Sequence, residues 1–287
     1  MGSFSERQGH MEVRTLTQRQ NLDDETRLAL WNTLAPMMEV FAKGRERFDS
    51  QDDTVEQGIL LDLWTRDFQR ARDERASTSY VWGLVKERVL TGEWNEAMDI
   101  LEAVVKYTGK HKTSRTQKLQ STVLGALNNS FETHLVGYRF IGQEITPVDS
   151  NAEAEAITTA QTDAAPIAGA RHALDRAVEL LADRATPDYP NSIKESISAV
   201  ESIVKKITGE GTLGAGLGKL DAAGLAIHPA LKAAWLKMYG WTSDDDGIRH
   251  GEIEAADADQ ALAKYVLVTC SAFVSYLIEE GSKRGLL

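Results

Sequence analysis

Cysteine occurs once in these 287 residues, proline six times, and aromatic side chains make up only 7%. The lone thiol, Cys270, excludes an internal disulfide framework and a multi-cysteine zinc site, and it suits a reducing cytosol. No uninterrupted apolar run of about 18 residues occurs, and no basic-then-apolar leader opens the chain. The sequence therefore predicts neither a membrane span nor secretion by that route, and a cytoplasmic location. A surplus of positive charge is missing too: the net charge is −11. That balance argues against a broad nucleic-acid coat, which needs clustered Lys and Arg, and leaves a local basic site open. Residues 1–150 hold 23 acids and 19 bases, and residues 151–287 hold 20 and 13, so neither half is the basic one. No HExxH pair or other metal spacing links the histidines, among them His10, His111, His134 and His228, and no GxSxG elbow is present. The expected cofactor and metal content is none.

What is present is mostly helical periodicity. Leu28, Leu30, Trp31, Leu34, Met37, Met38, Val40 and Phe41 recur mostly at three- and four-residue steps. They predict a helix over 23–43, which Pro36 should kink or split. Further helices are predicted over 53–76, 79–91, 94–107 and 113–132. The stretch 135–148 is rich in β-branched and aromatic residues with glycine at a turn position, and reads as two short strands. Pro147 and the polar residues after it mark the best boundary, near residue 150. Beyond it, helices are expected over 151–181 (interrupted at Pro166), 192–208, 229–239 and 257–281, with a glycine-rich break at 209–218. The expected fold is mainly α: helical domains over 1–150 and 151–287, the first ending in a short β-hairpin.

Three segments invite a chemical reading. Gly209-Glu210-Gly211-Thr212-Leu213-Gly214 matches the dinucleotide-binding glycine pattern, but it follows a predicted helix and lacks a βαβ unit. A helix C-cap followed by a loop is the better reading. Asp244-Asp245-Asp246 lacks the alternating oxygens and terminal Glu of a calcium loop, and reads as a solvated turn. Arg249-His250, between Gly247 and Gly251, sets a phosphate-binding guanidinium beside an imidazole that titrates near neutrality. Such a pair suits metal-free RNA cleavage, in which the 2′-hydroxyl attacks the adjacent phosphate. The competing reading is structural: Arg249 pairs with local aspartates and His250 caps a turn.

Phe4-Ser5-Glu6-Arg7-Gln8-Gly9, the run from Asp24 to Trp31-Asn32, and Gly137-Tyr138-Arg139-Phe140 with Glu144-Ile145 resemble the fourth type of N-terminal domain in AbiJ-like bacterial abortive-infection proteins. The run Ser192 to Glu201 and the segment Gly247 to Gly251 resemble HEPN-type four-helix domains. The resemblance implies an infection-sensing or regulatory first domain and a HEPN-like second domain that cleaves RNA as a homodimer. It implies RNA as substrate, a phage-derived or nucleotide trigger, and no membrane. The family typically places a histidine four to six residues beyond the arginine, at the start of the last helix. Here the histidine is adjacent and residues 254–256 are Glu, Ala and Ala. The implied catalytic set is Arg249, His250 and Glu201, the last as the polar residue of an earlier helix; a surface pair with Lys205 is its structural alternative. A non-catalytic sensor or adaptor, whose bundle serves dimerisation or ligand binding, is the alternative for the whole chain.

Overall fold

Asp24 and Glu25 open the first helix where free backbone N–H groups favour negative charge. In the computed structural model, which describes residues 16–46, 50–111, 113–183, 186–243 and 258–287, this helix is α1, Asp24–Glu46. It runs through Pro36 without splitting. Proline removes one N–H, and the buried Leu34 and Met37 on either side hold both turns against the core. Four more helices, α2 (Ser50–Asp62), α3 (Thr78–Thr91), α4 (Trp94–Lys110) and α5 (Ser114–Thr133), share that core with Ile59, Leu60, Val85, Leu101, Leu127 and Phe131. Buried Arg27 laces it by donating to the carbonyls of Leu22 and Val89, each at 2.9 Å.

The helix expected over 53–76 does not form as one piece. It stops as α-helix at Asp62, widens into a π-helical turn over Leu63–Asp67, and ends where Gln69 takes φ +50. The Trp64 indole N–H donates to the carbonyl of Ala71 at 2.6 Å, which folds the chain back before a 3-10 turn at Arg72–Glu74. Periodicity could not register this, because the apolar stripe continues while the backbone changes pitch.

The hairpin appears where it was expected, as β1 (Arg139–Ile141) and β2 (Glu144–Thr146), with Gly142 at φ +61 in the turn. Gln18 bridges to Val136 in parallel, and its buried amide also donates to Thr26 and to the carbonyl of His134. The chain divides into two compact units: one runs to Ile145 and takes in Asp149–Asn151, the other holds Thr146–Val148 and Ala152–Leu287.

In the second unit α6 (Asn151–Asp163) and α7 (Ala168–Ala182) are separated around Pro166, as its fixed φ requires. The helix α8, Tyr189–Thr208, packs along α7 and along α11, Gln260–Lys283. The apolar stripe that its spacing sets out is largely realised: Ile193, Ile197, Val200 and Val204 are fully buried, and Ile207 is half-buried. The glycine-rich break is not wholly loop. Thr212 caps a two-turn helix, α9 (Leu213–Lys219), which buries Leu213 and Leu217, and α10 follows at Pro229–Ser243. By averaged hydropathy, α11 is long and apolar enough to cross a membrane, which a search for unbroken apolar runs overlooks. Its apolar side, Val266, Leu267, Val274 and Leu277, is buried inside the bundle.

Candidate functional site

Glu201 lies on α8 next to the buried Val200, and is itself half-buried. Lys194, seven residues earlier, is exposed. Near the start of the same helix, the Ser192 hydroxyl donates to the carbonyl of Ala177 at 2.8 Å, and Ser196 donates back to Ser192. Ser192 thus ties α8 to α7, and Ser196 bonds back within its own helix.

Arg249 and His250 fall in 244–257, outside the described residues, as do Asp244, Asp245 and Asp246. The structure brings up both flanks of that segment. On one side is α10, anchored by Trp235, whose ring stacks on Phe273 of α11 at 4.0 Å between centroids. On the other is the start of α11, capped by Asp259, whose carboxylate accepts the Leu262 N–H at 2.8 Å. Cys270 is buried in α11 and desolvation pushes its thiol upward, so it is poorly suited to act as a thiolate. Gly209 is a helix C-cap at φ +78, its N–H donating to the Lys205 carbonyl at 2.8 Å. That geometry follows the helix-end reading of the glycine pattern rather than the dinucleotide one. The Arg171 Nε–H is shared between the two Asp175 carboxylate oxygens, each at 2.8 Å, and its Nη1 donates to the Gln161 carbonyl at 2.9 Å.

The first unit holds a titratable cluster that no spacing in the sequence announced. Lys110, at the end of α4, lies 2.7 Å from Asp62, and His111 Nε2 lies 3.7 Å from the same carboxylate. Burial draws the Asp62 carboxyl upward, but the hydrogen bond from Lys110, with the charges of Lys110, Arg66 and His111, outweighs it and holds the group below its ordinary value. One π turn further, Tyr107 donates its hydroxyl to Asp67 Oδ2 at 2.9 Å. Burial dominates there and raises the Asp67 carboxyl, and burial with the Asp67 bond raises the Tyr107 phenol. The cluster joins the end of α2 to the end of α4; its imidazole sits outside hydrogen-bond range of the carboxylate, so no nucleophile–base pair forms.

The glycine-tyrosine-arginine-phenylalanine segment before the hairpin is architectural. A Cβ on Gly137 would stand 3.0 Å from the side chains of Thr17 and Arg19. Tyr138 donates to the Arg19 carbonyl at 2.9 Å. Arg139, 1% exposed, donates to the carbonyls of Val136, Tyr138 and Asp149 and to Asn151 Oδ1. A buried guanidinium with four of its five N–H donors engaged by these groups accounts for an arginine in an otherwise apolar segment.

Against protein-family models, residues 2–163 match AbiJ N-terminal domain 4. The chain belongs to this family. The AbiJ domain thus covers more than half of the sequence, including the Gly137–Phe140 segment, the hairpin and α6. No curated protein and no solved structure is similar enough to this chain to count as a match. Among the described residues, no three His, Cys, Asp or Glu side chains converge as a metal-ligand set.

Proposed function

We propose that this chain is an antiphage abortive-infection protein whose first domain, 1–150, senses infection and whose second, 151–287, cleaves RNA in the cytosol without a metal. The observation that carries the defence role is the AbiJ domain match over residues 2–163. In this reading Arg249 holds the scissile phosphate and stabilises charge developing on it. Neutral His250 takes the proton of the 2′-hydroxyl, whose oxygen attacks phosphorus as the bond to the 5′-oxygen breaks; the resulting imidazolium returns a proton to that leaving group. Glu201 orients one of the two. With a net charge of −11, RNA is gripped at a small site rather than along a basic surface.

A homodimer supports such a site by doubling the cationic groups. Among the described residues, five of the eight large apolar side chains that stand exposed are Leu231, Leu236 and Trp241 on α10 and Tyr265 and Tyr276 on α11. A concentration of that kind favours self-association. The second reading is a non-catalytic sensor or adaptor, favoured by one observation: His250 directly follows Arg249 instead of lying a turn away.

The deciding experiment compares wild type, Arg249→Ala and His250→Ala for RNA cleavage by purified protein and for growth arrest during phage infection. Cleavage by wild type and its loss in both variants is expected. Intact RNA under activating conditions, with both variants behaving as wild type in cells, removes the nuclease and leaves the adaptor.

A further inference from the structure

Two backbone irregularities sit side by side in the first unit: the π-helical turn Leu63–Asp67 and Gln69 at φ +50. Single π turns and left-handed non-glycine residues both recur at functional sites. Immediately beside them is an open pocket of about 430 Å³, whose lining includes Phe68 and Arg70 from this turn, Leu84, Glu87 and Arg88 from α3, and Glu96 from α4. That volume lies within the roughly 300–1,000 Å³ of small-molecule sites.

The lining charges are not equivalent. Arg88 donates to Glu96 at 2.9 Å and lies 5.8 Å over the Phe68 ring, while the other Glu96 oxygen accepts the Glu93 N–H. These two neutralise each other and fix one wall. Arg70 lies 5.2 Å over the Trp64 ring and has no carboxylate partner among the described residues. Glu87 is exposed and has no cationic partner among them. Among the described residues, the pocket thus offers one guanidinium held over an indole face but not ion-paired, one carboxylate without a cation, and the apolar surfaces of Phe68 and Leu84.

We infer that this pocket binds a nucleoside monophosphate. The phosphate meets Arg70 in a charge-assisted pair, the base lies against Phe68 and Leu84, and an exocyclic amino group donates to Glu87. Adenine, guanine and cytosine carry such an amino group; uracil does not. The inference rests on the sensor reading of the first domain and gives that sensor a ligand class and a place.

The test is equilibrium dialysis of the full chain against AMP, GMP, CMP and UMP, with adenosine and inorganic phosphate as separate arms. Saturable AMP binding is expected, with adenosine, phosphate and UMP each weaker by about tenfold or more. Arg70→Gln should weaken AMP by about tenfold and leave adenosine unchanged, and Glu87→Gln should narrow the gap between AMP and UMP. Both side chains are exposed, and thermal unfolding verifies that the variants fold. No saturable binding of any of the four nucleotides at millimolar concentration overturns the proposal, as does AMP binding untouched by both substitutions. Binding is read without cleavage: nucleotide bound but RNA intact removes the effector reading alone, and RNA cut but nucleotide unbound removes the pocket alone.

Discussion

Asn128 engages both backbone polar groups of Phe140, its Oδ1 accepting the N–H at 2.7 Å and its Nδ2 donating to the carbonyl at 3.0 Å. One side chain on α5 therefore stands in for the strand that β1 lacks on that edge. Asn128→Ala leaves a donor and an acceptor of a buried residue unsatisfied, and should cost about 1–3 kcal/mol in urea unfolding. Asn128→Asp keeps the acceptor but sets a carboxylate against the Phe140 carbonyl, and should be no more stable than the alanine variant.

Arg139 offers a sharper case. Its planar guanidinium reaches three carbonyls and Asn151 at once, which a single ammonium on a flexible stem cannot do. Arg139→Lys should lower stability by about 2 kcal/mol despite keeping the charge. A midpoint unchanged in urea would mean that the fork geometry contributes nothing.

The two carboxylates flanking the π turn predict opposite pH dependences. Asp62 is held below its unfolded value of 3.8, so its stabilisation is present above that pH and is lost as pH falls through the lower folded value. Asp67 is raised above 3.8, so the folded state binds its proton more tightly and stability declines as pH rises from 3.8 through the folded value. In unfolding measured on either side of pH 3.8, Asp62→Asn should flatten the acid limb, and Asp67→Asn should flatten the decline above it.

Glycine in the segment 209–218 is needed for space as well as for conformation. A Cβ at Gly216 would stand 2.4 Å from Val204 Cγ1, and β-branched Val204 has little freedom to turn away. Gly216→Ala should destabilise by about 1–3 kcal/mol through overpacking, reduced by the better helix propensity of alanine. Gly218→Ala meets nothing within 4 Å and should be neutral or stabilising, which makes it the matched control in a thermal melt.

For the proposed homodimer, Tyr265 and Tyr276 are the residues to charge. They are 60% and 37% exposed, eleven residues apart on one side of α11. The double substitution of both tyrosines by Glu should shift the light-scattering mass from dimer to monomer. A wild type that is already monomeric at high concentration would exclude self-association through this face.

Much of the helical architecture was legible because it depends on local periodicity. The stripe from Ile193 to Val204 and the hairpin around Gly142 both formed where apolar spacing and turn chemistry indicated. The interruption at Pro166 likewise follows from a fixed φ. Where expectation and structure part, the cause is a contact that apolar periodicity does not encode. The pitch change at Leu63–Asp67 depends on the Trp64 bond to the Ala71 carbonyl. Pro36 sits in an unsplit helix because packing on both sides outweighs one missing hydrogen bond. The candidate site divides in the same way: Arg249 and His250 were readable as a chemical pair but lie outside the described residues, and Glu201 is placed on α8 beside the buried Val200.

The scarcity of cysteine and of strand pattern, together with the acidic balance, determined by themselves that this protein is mainly helical, has no internal disulfide and is acidic overall. Side-chain character and local spacing suffice for that. Only the tertiary structure decided that Arg139 is a buried clamp, that Asp62 and Asp67 titrate in opposite directions, and that Arg70 and Glu87 line one pocket. Against burial, Lys110, which lies far away in sequence, lowers Asp62; burial raises Asp67 against its bond from the distant Tyr107. Arg139 owes its place to a backbone that folds back around it, and the pocket to the meeting of separate elements; spacing along the chain carries no record of any of these.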